Sequence, residues 1–169
     1  MRDAYELATW QWLPRPRPQV FAFFSDARNL ERITPPFLNF QVLTGSPIDI
    51  RAGALIDYRL RLRGVPLRWQ SEITVWEPPR RFADVQRRGP YRQWEHTHTF
   101  DDHDGGTMVR DRVLYALPGP DLLTRAVNAL LVAPDTRRIF AFRQAALEAC
   151  LEVRGQTRSG PVTVDRRRL

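Results

Sequence analysis

The stretch ALIDYRLRLRGVPLRWQSEITVWEPPRRFADVQRRGPYRQWEHTHTFDDHDGGTMVRDRVLYALP, residues 54–118, decides the fold. It breaks into runs rich in β-branched and aromatic residues, Ala54 to Arg63, Leu67 to Glu77, Arg81 to Arg88, Trp94 to Asp101 and Thr107 to Leu117. Between them stand Gly64-Val65-Pro66, Pro78-Pro79, Gly89-Pro90 and Asp104-Gly105-Gly106. Such short Gly/Pro connections close tight turns, so successive strands should pair antiparallel as one meander.

Alternation then assigns faces, because neighbouring side chains in a strand point to opposite sides of the sheet. Ile56, Tyr58, Leu60 and Leu62 share one face, opposed by Asp57, Arg59, Arg61 and Arg63, which must face water. By the same logic the inner face receives Leu67, Trp69, Ser71, Ile73 and Val75, then Phe82, Asp84 and Gln86. Trp94, His96, His98 and Phe100 follow, then Val109, Asp111, Val113, Tyr115 and Leu117.

Upstream, Glu6 to Leu13 reads as a first strand, halted by the prolines of PRPRP, and Phe40 to Leu43 as a short second one, seven strands in all. Between these two, Pro18 can open a short buried helix over VFAFF. Ser25 and Asp26 offer caps for another stretch through Leu30 and Ile33, stopped by Thr34-Pro35-Pro36. Downstream, Asp121 to Ala133 predicts a short amphipathic helix and Asp135 to about Val153 a long one, separated by Pro134, whose break would let the first act as a gate. The apolar stripe of the long helix runs through Ile139, Phe142 or Arg143, Ala146 and Cys150, flanked by Phe140, Leu147 and Leu151. The expected class is α+β: a curved antiparallel sheet of about seven strands wrapped on a long C-terminal helix, with two short helices after strand 1.

Composition removes several functions. All 26 basic residues are arginine, which excludes chemistry needing a lysine amine. A single cysteine, Cys150, excludes a disulfide framework and any multi-thiolate zinc site. The net charge of +7 suggests an anionic partner until its distribution is examined. Residues 154–169 hold five arginines against Asp165, so the tail is expected to be basic and disordered, beyond a ligand-binding domain of residues 1–153. The body is then a mixed-charge surface, for which nucleic-acid binding is not expected. The longest apolar run is far short of the ~20 residues of a membrane span and no secretory signal opens the chain, so a cytoplasmic protein is expected.

The inner face carries too many polar groups for a dry core: Tyr58, Ser71, Asp84, Gln86, His96, His98, Asp111 and Tyr115. Each costs about 1–3 kcal/mol if left unpaired, so they must bond one another or line a cavity. A hollow between sheet and helix, apolar with a few convergent polar groups, is the general form of a small-molecule site. Its expected lining is Tyr58, Leu60, Trp69, Ser71, Ile73, Phe82, Asp84, Gln86, Trp94, His96, His98, Phe100, Val113, Tyr115 and, from the helix, Phe142. His96 and His98 admit three meanings: structural or ligand contact, acid–base catalysis oriented by Asp111, or two ligands to a metal with Asp84 or Asp111. The first is preferred, and no cofactor or dedicated metal is expected.

The stretches VFAFFSDARNLERITPP, DYRLRLRGVPLRWQSEITVWEPPRRFAD, GPYRQWEHTHTF and GGTMVRDRVLYALP resemble the bacterial SRPBCC superfamily, over about residues 4–153. That group includes START lipid-transfer domains, birch-pollen-type allergens and polyketide cyclase/dehydrase-like proteins. The nearest pattern is its small branch described as cyclase/dehydrase or found fused to nucleotide-sugar epimerase-like domains. The resemblance implies a helix-grip fold of order β-α-α-β6-α and a cavity for a lipid-, sterol- or polyketide-like ligand, held by a carrier. It also implies an alternative, a cyclase or dehydratase using polar cavity residues, for which His96, His98, Asp111 and Tyr115 stand in the right places.

Overall fold

The computed structural model describes residues 3–168. The chain runs β1 (Asp3–Leu13), α1 (Arg17–Ser25), α2 (Asn29–Arg32), a 3₁₀ turn (Pro36–Leu38), β2 (Gln41–Val42), then β3 (Leu55–Leu62), β4 (Val65–Glu77) and β5 (Arg81–Arg88). It continues with β6 (Gln93–His103), β7 (Gly106–Ala116), α3 (Asp121–Val127), a π-helical segment (Asn128–Val132), α4 (Ala133–Cys150), β8 (Arg158–Ser159) and β9 (Thr163–Arg168). One antiparallel sheet results, in the order β2-β3-β4-β5-β6-β7-β1-β8, with β9 also on β1. This is the helix-grip arrangement of an α+β fold, the sheet curving around the helix α4.

The seven strands predicted by the turn residues form, and two more come from the tail. Residues 154–169 were expected to be disordered. Instead β9 pairs with β1 from Asp3↔Arg168 to Ala8↔Thr163, and β8 pairs at Gln11 and Trp12. The physical reason is the open edge of β1, whose backbone donors and acceptors need partners whatever side chains the partner carries. Val164, opposite Leu7, packs against the core cluster that holds Tyr5 and Leu7, and Arg167 meets Glu6 at 2.9 Å.

Two local departures reset which side chains face inward. A register shift between Ile73 and Val75 in β4 sets Trp76 opposite Phe82, so Trp76 and not Val75 reaches the interior. Pro134 does not break the C-terminal helix. The π-helical turn at 128–132 absorbs the hydrogen bond that proline removes, and Pro134 falls in the first turn of α4, where its missing N–H is harmless. The expected gate hinge is therefore a continuous helix. Asp135 accepts from the Arg63 guanidinium at 2.8 and 3.0 Å, clasping the β3–β4 hairpin to the start of α4.

The inward stripe of α4 is Ala133, Thr136, Phe140, Arg143 and Leu147, a 3-4-3-4 spacing. One core cluster joins Leu13, Phe21, Phe24, Phe82, Phe100 and Leu147 beneath α1; a second joins Tyr5, Leu7, Val113, Tyr115 and Phe140 beneath α4. A third, around Ile56, Tyr58 and Ile73, lies toward α2. Between the three the interior is hollow. Among the described residues no helix is long and apolar enough to cross a membrane.

Candidate functional site

The hollow has a free volume of about 190 Å³, bounded by the concave face of β3–β6, the helices α1 and α2, and α4. That is an order of magnitude above the ~10–15 Å³ one water requires in such a measure, so the space is ligand-sized. Most of its wall is aliphatic or aromatic: Phe23, Phe24, Leu30 and Ile33 from the α1–α2 side, Tyr58, Ile73, Trp76 and Phe82 from the sheet, Ile139 and Phe140 from α4.

Ten of the side chains expected to line it do so: Tyr58, Leu60, Trp69, Ser71, Ile73, Phe82, Asp84, Trp94, His96 and His98. Five do not. Gln86 is turned onto the β5–β6 connection, where its amide donates to the Tyr91 carbonyl at 2.7 Å and accepts from the Tyr91 N–H. Phe100 is fully buried against Phe21, Phe24 and Phe82, and Val113 is fully buried in the cluster under α4. Tyr115 stacks on Tyr5 and donates its hydroxyl to Asn128 at 2.7 Å, making it a strut between β7 and the π-helical turn. Phe142 lies on a flank of α4, where the inward position belongs to Arg143.

Asp111 stands behind the wall rather than in it. His96 Nε2 lies 3.1 Å from Asp111 Oδ1, and His98 Nδ1 lies 2.6 Å from the same oxygen. The arrangement follows from register: β6 pairs with β7 so that His98 faces Asp111 directly, and His96, two residues along, shares that face. The imidazoles contact each other at 3.9 Å between centroids, with Phe82 stacked on His98 at 4.3 Å and Phe140 edge-on to His96.

Burial pushes His98 down from 6.5 to about 4, assisted by His96, against the opposing pull of Asp111. It is therefore neutral at pH 7. Burial alone would raise the Asp111 carboxyl; the two imidazoles more than offset it and hold the group well below the usual carboxylate range. An ionised carboxylate only accepts, so the His96 Nε2–H donates to Asp111, while His98 Nδ1 lies close to the same oxygen without a hydrogen bond of good geometry. Two imidazoles gathered on one carboxylate beside a cavity are able to take or relay a proton.

A second chain of hydrogen bonds fixes the neighbouring acid. Trp69 Nε1 donates to Ser71 Oγ at 3.1 Å, and Ser71 Oγ donates to Asp84 Oδ1 at 3.0 Å. Asp84, His96 and His98 can each offer one ligand atom, all within 4.8 Å of one another. Tyr58 and Tyr91, also on the wall, have hydroxyls pushed up by desolvation, so both remain protonated.

Sequence reasoning missed several wall residues. Phe23, Phe24 and Ile33 were legible as buried, not as cavity-facing, because a short helix dense in apolar residues gives no phase. Arg143 was masked by Phe142; the signal that distinguishes them is the 3-4-3-4 spacing of Thr136, Phe140, Arg143 and Leu147.

Comparison with known proteins agrees with this architecture. No curated protein matches the chain significantly. Among solved structures, protein Ms6760 from Mycobacterium smegmatis is 20% identical with a TM-score of 0.62, covering 87% of this chain and 90% of that one. Major latex-like protein 151 from Panax ginseng, 11% identical with a TM-score of 0.61 over 87% and 97%, shares the fold. A nucleoside-diphosphate sugar epimerase from Corynebacterium glutamicum is 26% identical with a TM-score of 0.61; the match covers 86% of this chain but 29% of that longer one. Residues 13–141, from the end of β1 into α4, match the family model described as polyketide cyclase / dehydrase and lipid transport, and it is to this family, within the SRPBCC superfamily, that the chain belongs.

Proposed function

We propose that the protein binds a small hydrophobic or amphipathic molecule, of lipid-, sterol- or polyketide-like character, inside the cavity and acts as its carrier or sequestering protein. The observation carrying this reading is the mostly apolar 190 Å³ hollow with its polar groups gathered around the β5–β6 face. A space of that kind is costly to leave empty, because its lining lacks packing partners. Trp69, Trp76 and Trp94 line it and report on occupancy. Titration with the neutral apolar probe N-phenyl-1-naphthylamine should quench tryptophan emission saturably, and native mass spectrometry should find a co-purified small molecule. A chain that neither quenches nor carries added mass would overturn the reading.

A second reading is favoured by one specific observation, the single buried carboxylate facing two imidazoles. In it the protein is a cyclase or dehydratase acting on an aromatic polyketide-like substrate, with His96 or His98 as base and Asp111 holding their orientation. Replacing His96→Gln and His98→Gln would then abolish turnover while leaving N-phenyl-1-naphthylamine binding in place. Undiminished turnover in the double variant would remove that role.

A further inference from the structure

Arg143 does not fit the wall in which it stands. It occupies the inward stripe of α4 between Phe140 and Leu147, is 8% exposed, and lines the cavity. Its Nε and Nη1 are sealed from water and have no hydrogen-bond partner among the described residues. The Phe140 ring lies 4.8 Å from the guanidinium carbon, covering its apolar face and leaving the donors at its edge unanswered.

A guanidinium keeps its charge at any ordinary pH, so it cannot escape this position by neutralising. Asp111 and Asp84 act on it through space, yet Asp111 is already claimed by two imidazoles and Asp84 accepts from Ser71. Buried cations in proteins are paired as well as compensated at a distance, and an unpaired one is strongly destabilising. An oxygen acceptor inside the cavity would answer those donors.

We infer that Arg143 anchors the anionic end of the ligand, and that the ligand is an amphipathic monocarboxylate of fatty-acid or aromatic-acid type. The inference rests on the cavity being a ligand site and names the chemistry it takes. The planar fork of donors matches a carboxylate. A dianion such as a phosphate monoester would bring two charges toward Asp84 and Asp111 with one guanidinium to answer them. The remaining wall, from Phe23 and Ile33 to Ile73 and Trp76, suits an uncharged apolar body.

The test compares decanoate, decan-1-ol and methyl decanoate, which share one apolar chain, by displacement of N-phenyl-1-naphthylamine from the intact protein at pH 7.5 in 0.3 M NaCl, where surface arginines are screened. Decanoate should bind at least about tenfold more tightly than either neutral analogue, the usual worth of a charged hydrogen bond. Arg143→Met should erase that preference while still binding decan-1-ol, and Arg143→Lys, which keeps the charge and loses the fork, should keep part of it. Equal binding of all three by the unaltered protein overturns the carboxylate anchor and leaves the cavity reading standing. A preference that survives in Arg143→Met places the anchor elsewhere and also overturns it. If none of the three displaces the probe, ligand binding of this kind fails and this inference with it.

Discussion

Acidification should weaken the protein through one imidazole. His98 is fully buried, with its proton affinity depressed from 6.5 to about 4. A group depressed on folding contributes stability that is complete above its unfolded value and is lost as pH falls through the folded one. The window is therefore between roughly pH 6.5 and 4, where the unfolded chain takes up a proton that the folded chain refuses. At about 1.4 kcal/mol per tenfold change in affinity, the full loss is about 3 kcal/mol, a large share of the 5–15 kcal/mol typical of a domain. Urea denaturation at pH 7.5, 6, 5 and 4, carried out in parallel on the protein and on His98→Gln, isolates the effect, because glutamine does not titrate. The variant starts lower by a constant amount, but its curve should fall less steeply, the two converging by about 3 kcal/mol at pH 4. Parallel curves would refute the argument, since they would show that His98 binds its proton equally well in both states.

Two further outcomes follow from the packing. Tyr115→Phe removes the hydroxyl that Asn128 accepts at 2.7 Å, stranding a buried amide oxygen, and should cost about 1–3 kcal/mol in urea without changing cavity binding. The basic tail should resist trypsin despite Arg158, Arg166, Arg167 and Arg168, because β9 is paired with β1; rapid removal of residues 159–169 with the body intact would show that the strand does not hold.

The strands were legible because turn chemistry and alternation are local, and both survive folding except where a bulge resets the phase. The tail was not. β9 reads Thr-Val-Asp-Arg-Arg-Arg, with Val164 its only apolar side chain, and its order comes from backbone pairing to an edge far away in sequence. Alternation also gives the face of a residue and not its depth. His98 and Phe100 share a face of β6, yet α1 covers Phe100 with Phe21 and Phe24 while His98 borders open space. Val75 was misplaced because a bulge inserts one residue and reverses the phase beyond it. Arg143 stood beside Phe142 as an alternative in the stripe, and the expected lining took Phe142 because the rule that apolar side chains face inward favours it. The helix obeys its own periodicity, and the exception it buries is the group most in need of a ligand.

The pairing of β1 has a consequence for biosynthesis. Its neighbours are β7, which meets Tyr5 at Tyr115, and β9, which meets Asp3 at Arg168. During synthesis β1 thus emerges long before β7, which begins at Gly106, and longer still before β9, which begins at Thr163. During that interval it is an adhesive ribbon with both edges bare, the period when a nascent chain most needs a chaperone.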